Sequence, residues 1–316
     1  MNIIPENVSK EIVPSKLPFG CELCDYTGFK FVKKDEGEFR ERCDCYKTYQ
    51  YNLLKIDANI PEIYFNAQFD LDKSVVFNRF KPLRFKMVEE KTSIGITSRR
   101  QLLFENPPLE WDINKFGSTY VGNASNYLAV SPRKMSVSLI FSGEVGSGKT
   151  YLACAIANEM LKKGYKAYYL KAKQYIDYVM LDSYSKDQAK ASELKSKRDF
   201  LNGLNKNFQD NCHLLILDEL GFEHKGDSGY ALAQIKDLLR NRAEKHLPTI
   251  ITTNFMLDEL TKVYEEELVS MFAESYMFFM VICPDDYRLR KSSKLDADFD
   301  FEDLSVSSET GGDANE

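Results

Sequence analysis

The run Gly143-Glu144-Val145-Gly146-Ser147-Gly148-Lys149-Thr150 fits G-x-x-x-x-G-K-[ST], a loop built to hold phosphate. Its glycines let backbone N–H groups turn inward around phosphate oxygens, and a helix beginning there adds a positive dipole end. In that chemistry Lys149 reaches the β- and γ-phosphates, and Thr150 offers a hydroxyl to Mg²⁺. A second group of residues suits the same chemistry. Leu214–Leu217 is an aliphatic run that ends in Asp218 and Glu219. Acids at the carboxyl end of a buried strand face the crevice where open α/β sheets bind ligands. Asp218 is placed to hold Mg²⁺, directly or through water, and Glu219 to orient and polarise an attacking water. A third strand, Pro248–Thr253, delivers Asn254, whose amide suits a γ-phosphate or water contact. An Asn in a strand-end turn is the plainer alternative.

A different chemistry is written near the amino end. Cys21 and Cys24 are separated by two residues, and Cys43 and Cys45 by one, with eighteen residues between the pairs. One ligand pair on each side of a hairpin-length spacer suits a closed, tetrahedral Zn²⁺ site, structural rather than catalytic. Phe29–Val32 and Glu38–Arg42 read as two short strands between the pairs. So small a unit has little core, and metal binding would supply much of its folding energy. Cys154, Cys212 and Cys283 stand alone beside apolar residues and read as core. His213, His224 and His246 show no metal-ligand spacing.

These groups need elements to position them. Val137–Ser142 reads as a buried strand and Tyr151–Lys163 as a helix, the strand–loop–helix order that a phosphate loop requires. Beyond them, strands over Lys166–Leu170, Leu214–Asp218, Pro248–Asn254 and Phe278–Ile282 alternate with helices. The helices are expected over Ala172–Leu181, Lys186–Asn207, Tyr230–Glu244 and Leu257–Phe272. Such alternation predicts α/β architecture, a parallel sheet with helices on both faces. Thr48–Ile56 reads as a short helix leaving the cysteine unit.

The chain of 316 residues is long enough for more than one domain, and 43% hydrophobic content supports a sizeable core. The pattern divides it into a flexible 1–16, a zinc-binding module at 17–60, a linker or insertion at 61–136, a nucleotide-binding α/β domain at 137–290 and a disordered acidic tail at 291–316. The net charge of −6 is uneven, because 295–316 carries eight acids and no Lys or Arg. That tail reads as a solvating end, with competition against DNA for basic sites as the alternative. No run of ~18 apolar residues is present, so no membrane partner is expected. Cysteine usage in a nucleotide-binding chain points to a reducing, cytoplasmic setting.

The segment 62–136 is the least legible. Lys73, Arg79, Lys81, Arg84, Lys86, Lys91, Arg99 and Arg100 lie there against Glu89 and Glu90, with Phe77, Phe80 and Phe85 interleaved. Basic residues among rings suit single-stranded nucleic acid. The competing and favoured reading is an amphipathic element whose rings face the core. Trp111 is expected to anchor this region to a neighbour.

GEVGSGKT (143–150), LLILDELG (214–221), PTIITTN (248–254) and Asp286-Tyr287-Arg288 together resemble AAA+ ATPases. More narrowly they resemble helicase loaders of the DnaC/DnaI type and the related IstB-type transposition ATPases. The CELCDYTG…CDC arrangement followed by Ile60-Pro61-Glu62 is similar to zinc-bearing loaders, a module that IstB-type proteins generally lack. The resemblance implies ATP, Mg²⁺ and Zn²⁺ as cofactors. It also implies a loader that places a hexameric DnaB-type replicative helicase on single-stranded DNA, self-associates through AAA+ domains and binds the helicase through its amino-terminal module. By the same resemblance Arg288 senses nucleotide from a short lid. One departure stands out. The family's arginine finger follows the Asn strand, but Tyr264–Phe272 contains no Arg. Such a finger is worth ~10³–10⁵ in rate, so weak hydrolysis is expected. Arg240 and Arg242 are possible substitutes, against a preferred reading as a solvated helix end. An ATP-binding adaptor with little hydrolysis and an IstB-type transposition ATPase are the alternatives to a loader. The 62–136 segment is longer than the family usually has there.

Overall fold

The computed structural model describes residues 21–25, 27–34, 37–70, 74–92, 95–130, 137–184, 187–221, 229–256, 259–260, 264 and 266–283. The first segment, the acidic tail, His224 and Arg288 lie outside the described residues.

The phosphate-loop strand β7 (Ser138–Ser142) is central in a seven-stranded sheet and wholly buried. It is flanked by β10 (Thr249–Thr253) and β11 (Tyr276–Ile282), both parallel to it. Next to β10 come β9 (Leu214–Asp218) and then β8 (Ala167–Lys171), also parallel. β7, β9 and β10 are buried along their whole length, as helices above and below a parallel sheet require, although three of the five residues of β10 are threonines. The order interposes β10 between the phosphate-loop strand and the acidic strand. The ends of β7, β9 and β10 therefore share one edge. This is an α/β core, a parallel-dominated sheet with crossover helices, built around the phosphate-loop strand.

The crossovers are α3 (Lys149–Lys162), α4 (Ala172–Tyr184), α5 (Gln188–Asn202), α6 (Tyr230–Glu244) and α7 (Glu266–Ser275). Local chemistry sets their limits. Helix α5 is shorter than its polar, lysine-rich pattern suggests. Asp187 caps its start by accepting from the N–H groups of Ala189 and Lys190, and Gly203 ends it in the left-handed conformation. Within the expected Leu257–Phe272 helix, Glu259 and Leu260 are helical, Tyr264 is a bend, and a separate helix begins at Glu266.

Residues of 61–136 take part in the same core. β3 (Val76–Phe80) pairs antiparallel with β11, and β6 (Leu109–Glu110) extends the sheet beyond β3. Phe77 stacks on Phe279 with ring centroids 4.4 Å apart. Helix α2 (Ile113–Val130) brings Phe116 against both rings, and Trp111 closes over Phe279. Trp111 thus anchors the segment, as expected. Between β3 and β6 runs a two-stranded ribbon, β4 (Pro82–Thr92) and β5 (Gly95–Phe104). The interleaved rings are core residues: Phe77 is buried, Phe80 meets Phe104 edge-on, and Phe85 packs beside buried Leu102.

Arg242 is not at a solvated helix end. It is fully buried and donates to the carbonyls of Leu201, Cys212 and Pro248 and to the Thr249 hydroxyl. It ties α6 to the amino ends of β9 and β10, and burial depresses its pKa. Arg240 instead pairs with Glu267 on α7.

Candidate phosphate and metal sites

The loop 143–148 leaves β7 and turns directly into α3. Gly143 has φ +142°, and a Cβ there would lie 2.2 Å from the carbonyl oxygen of Val281, so only glycine fits. Gly148 holds the N-cap at φ 95° with no side-chain cap. The opening N–H groups of α3 therefore lack the usual acceptor from the cap side chain, which suits an anion. Ser147 and Lys149 are buried, while Glu144 and Val145 are exposed. The Lys149 ammonium donates to the carbonyls of Gly143 (2.8 Å) and Glu144 (2.6 Å). It spans the mouth of the loop, where terminal phosphates would exchange with these acceptors.

Asp218 is 2% exposed and accepts from three hydroxyls. Thr150 Oγ1 donates to Oδ1 at 2.9 Å, Thr252 Oγ1 donates to the same oxygen, and Tyr169 Oη donates to Oδ2. The loop hydroxyl and the strand carboxylate meet across 68 positions of sequence. One hydroxyl beside one carboxylate is the sparse protein donor set that Mg²⁺ takes when phosphates and water complete its shell. Burial, then the Asp218 charge, pushes the Tyr169 phenol well above its usual range, so it stays a donor.

Glu219 faces differently. Its φ is +58°, uncommon for a residue with a side chain, and its N–H donates to Thr252 Oγ1 at 3.1 Å. The left-handed step separates the adjacent acids. Asp218 turns inward to the hydroxyls, and Glu219 pairs with Lys171 Nζ at 2.8 Å, both side chains nearly half exposed. Lys171 ends β8, so three neighbouring strands converge on the acids. Asn254 follows β10 directly and is half-buried. Leu220 N–H donates to the Thr252 carbonyl and Thr253 Oγ1 to the Leu220 carbonyl, which places Asn254 on the same sheet edge as Glu219.

Sequence reasoning missed Tyr169, Thr252 and Lys171. The signal for Thr252 was a hydroxyl in an apolar strand beside Asn254. Tyr169 and Lys171 gave none, because only strand order shows that β8 borders β9. Also missed was the segment after Ile60-Pro61. Buried Asn158 on α3 donates to the carbonyls of Tyr64 and Ala67. Tyr151 Oη, one residue past the loop threonine, donates to Asp70 and accepts from the Gln68 N–H. Residues 64–70 are thereby fastened beside the first turn of α3.

The cysteine unit has its own geometry. β1 (Phe29–Lys34) and β2 (Gly37–Arg42) form the expected hairpin, and α1 (Asp44–Asp57) starts immediately after Cys43. The four sulfurs of Cys21, Cys24, Cys43 and Cys45 all lie within 4.8 Å of one another. Cys21–Cys43 is 3.7 Å and Cys24–Cys45 is 3.4 Å. A tetrahedral Zn²⁺ with bonds of ~2.3 Å needs edges of about 3.8 Å, so the donor set fits with small adjustments. Burial and the neighbouring thiols push the Cys45 thiol well up, so a cation is what would stabilise the thiolates together.

A profile of the IstB-like ATP binding protein family matches residues 130–294, more than half of the chain. The chain belongs to that family. The match spans β7, the phosphate loop, the acidic strand and Asn254. This IstB-like protein is also similar to the replicative helicase loader DnaC of Escherichia coli K12, with 31% identity over 157 residues. That alignment takes in 50% of this chain and 58% of the relative, so the likeness spans little more than half the relative's length. The loader DnaC of Shigella flexneri matches equally. Among solved structures, a DnaC helicase loader aligns with 70% of this chain and all of its own length, at 21% identity and a TM-score of 0.45. A DnaI structure aligns with 58% of this chain and 88% of its own, at 20% identity and a TM-score of 0.42.

Proposed function

We propose that this IstB-like ATP-binding protein is an ATP-dependent loader of a hexameric DnaB-type replicative helicase onto single-stranded DNA, acting in the cytoplasm. The observation that carries this reading is the juxtaposition of Lys149, Thr150 and Asp218 at one sheet edge, in a core similar to DnaC, behind a four-cysteine cluster. In this reading the loop 143–150 cradles the triphosphate, and Lys149 neutralises its terminal phosphates. Thr150 and Asp218 hold Mg²⁺. Glu219 polarises water, Asn254 senses the γ-phosphate, and Arg288 reads nucleotide from the lid. Cys21, Cys24, Cys43 and Cys45 hold Zn²⁺ and shape the 17–60 module that grips the helicase. AAA+ domains of neighbouring copies assemble side by side.

An observation also favours a second reading, an ATP-held adaptor with slow hydrolysis. No Arg lies on α7, and Glu219 is engaged by Lys171. The test is co-sedimentation of the full chain with a hexameric DnaB-type helicase, with ATP and Mg²⁺. A stable complex, lost helicase loading in Lys149→Ala and a stalled ATP-bound complex in Glu219→Gln are expected for a loader. Unchanged loading by Glu219→Gln selects the adaptor, and no helicase complex rejects both.

A further inference from the structure

The β4–β5 ribbon has no part in the phosphate site. Residues 81–104 contain six basic residues and two acids, in a chain whose net charge is −6. Its register separates two faces. On one, Phe85 pairs with Leu102, and both pack into the core at the root. On the other, Arg84 pairs with Leu103, Lys86 with Gln101, Val88 with Arg99 and, toward the tip, Glu90 with Thr97, so the cations of this face lie nearer the root than its acid. Arg84 and Lys86 are exposed, as is Lys81 just before the ribbon. Among the described residues neither Arg84 nor Lys86 is paired with a carboxylate, unlike Lys171, Lys236 and Arg240. From Lys86 to Thr92 the strand runs on for about 20 Å at ~3.4 Å per residue.

We propose that the outward face of this ribbon binds the phosphate backbone of duplex DNA through Arg84 and Lys86. Charge selects a polyanion. The rings select among polyanions. Single strands are held by aromatic stacking as well as charge, yet every phenylalanine here is directed elsewhere. Phe85 and Phe104 pack at the root, and Phe77 and Phe80 belong to β3 in the main sheet. A two-stranded ribbon fits the major groove of B-form DNA, about 12 Å wide, and not the deep, narrow one of A-form RNA. The ribbon leaves the sheet from β3, which β11, β7 and β10 separate from the acidic strand β9, and Arg84 and Lys86 are no part of the phosphate site.

The test measures binding of the full chain to a short fluorescent duplex and to a single strand of the same sequence, across a salt series. Wild type should bind duplex with an affinity that falls steeply with salt. The Arg84→Glu/Lys86→Glu variant should bind duplex about tenfold or more weakly near 0.1 M salt, and its log–log salt slope should shrink by about 2, at ~0.9 per phosphate contact. Binding of a fluorescent ATP analogue certifies the fold. Should the charge reversal impair it, Arg84→Gln/Lys86→Gln takes its place, with about a threefold loss expected. The proposal is overturned by a wild type that does not bind duplex, by an unchanged salt slope, or by a loss larger for single strand than for duplex.

Discussion

Replacing Tyr169 by Phe removes one oxygen and keeps the ring. Tyr169 is 4% exposed and its partner Asp218 2%, so no water takes over the lost donor. Asp218 keeps the hydroxyls of Thr150 and Thr252 on Oδ1 but loses the donor on Oδ2. A hydrogen bond to a buried charged group is worth about 1.5–3 kcal/mol. For a slope near 3 kcal/mol/M, that shifts the urea midpoint down by roughly 0.5–1 M. The same hydroxyl fixes the carboxylate's orientation, and loss of such an outer partner typically costs ~10–100-fold in metal affinity. The assay pairs urea unfolding with a Mg²⁺ titration at fixed ATP, read by a fluorescent nucleotide. A stability change under about 0.5 kcal/mol together with unaltered Mg²⁺ dependence would refute the reasoning, because Asp218 would then be held by its threonines alone.

Three further outcomes are expected. The Lys171–Glu219 pair is half exposed and so worth at most about 1 kcal/mol; Lys171→Met should therefore raise ATP turnover no more than about fivefold by freeing Glu219, and a fall in phosphate release would show that Lys171 serves the nucleotide instead. Burial lowers the His213 pKa to about 4, and its Nδ1 accepts from the Lys166 N–H. The unfolded chain then takes up the proton first, so stability is intact above about pH 6.5 and falls by roughly 1–3 kcal/mol as pH drops toward 4; denaturation of His213→Gln across that range should show a shallower decline. Arg242→Met strands three carbonyls and the Thr249 hydroxyl, and should cost about 2–4 kcal/mol in thermal or urea unfolding, with Arg242→Lys recovering little of it because an ammonium cannot fork to separate acceptors.

Much of this was written in local sequence. Val137–Thr150 specifies strand, glycine turn and helix by short-range sterics, and the structure follows it. The strand ending at Asp218 is aliphatic because both its faces are covered, and that pattern is legible without knowing its neighbours. The cysteine spacing likewise predicts a hairpin that returns the second pair to the first, and the four sulfurs converge.

The 62–136 segment resisted reading for a physical reason. Phe77 and Phe80 are interleaved with Asn78 and Arg79 whether the rings face a core or a nucleic acid, and such a pattern does not name the covering surface. Pairing of β3 with β11 across two hundred positions decided it. Arg242 misled similarly: a cation near a helix end is normally solvated, and only the convergence of three backbone carbonyls made burial tolerable.

By itself, then, the sequence determined the kind of chemistry, since loop sterics, strand hydrophobicity and cysteine spacing are properties of adjacent residues. Tertiary structure decided which residues share that chemistry. Strand order set Tyr169 and Lys171 of β8 beside the acids of β9, and it interposed β10 to bring Thr252 onto Asp218. Such neighbours are fixed by the lateral ordering of a sheet, which hydrogen bonds between distant segments create and no local pattern encodes.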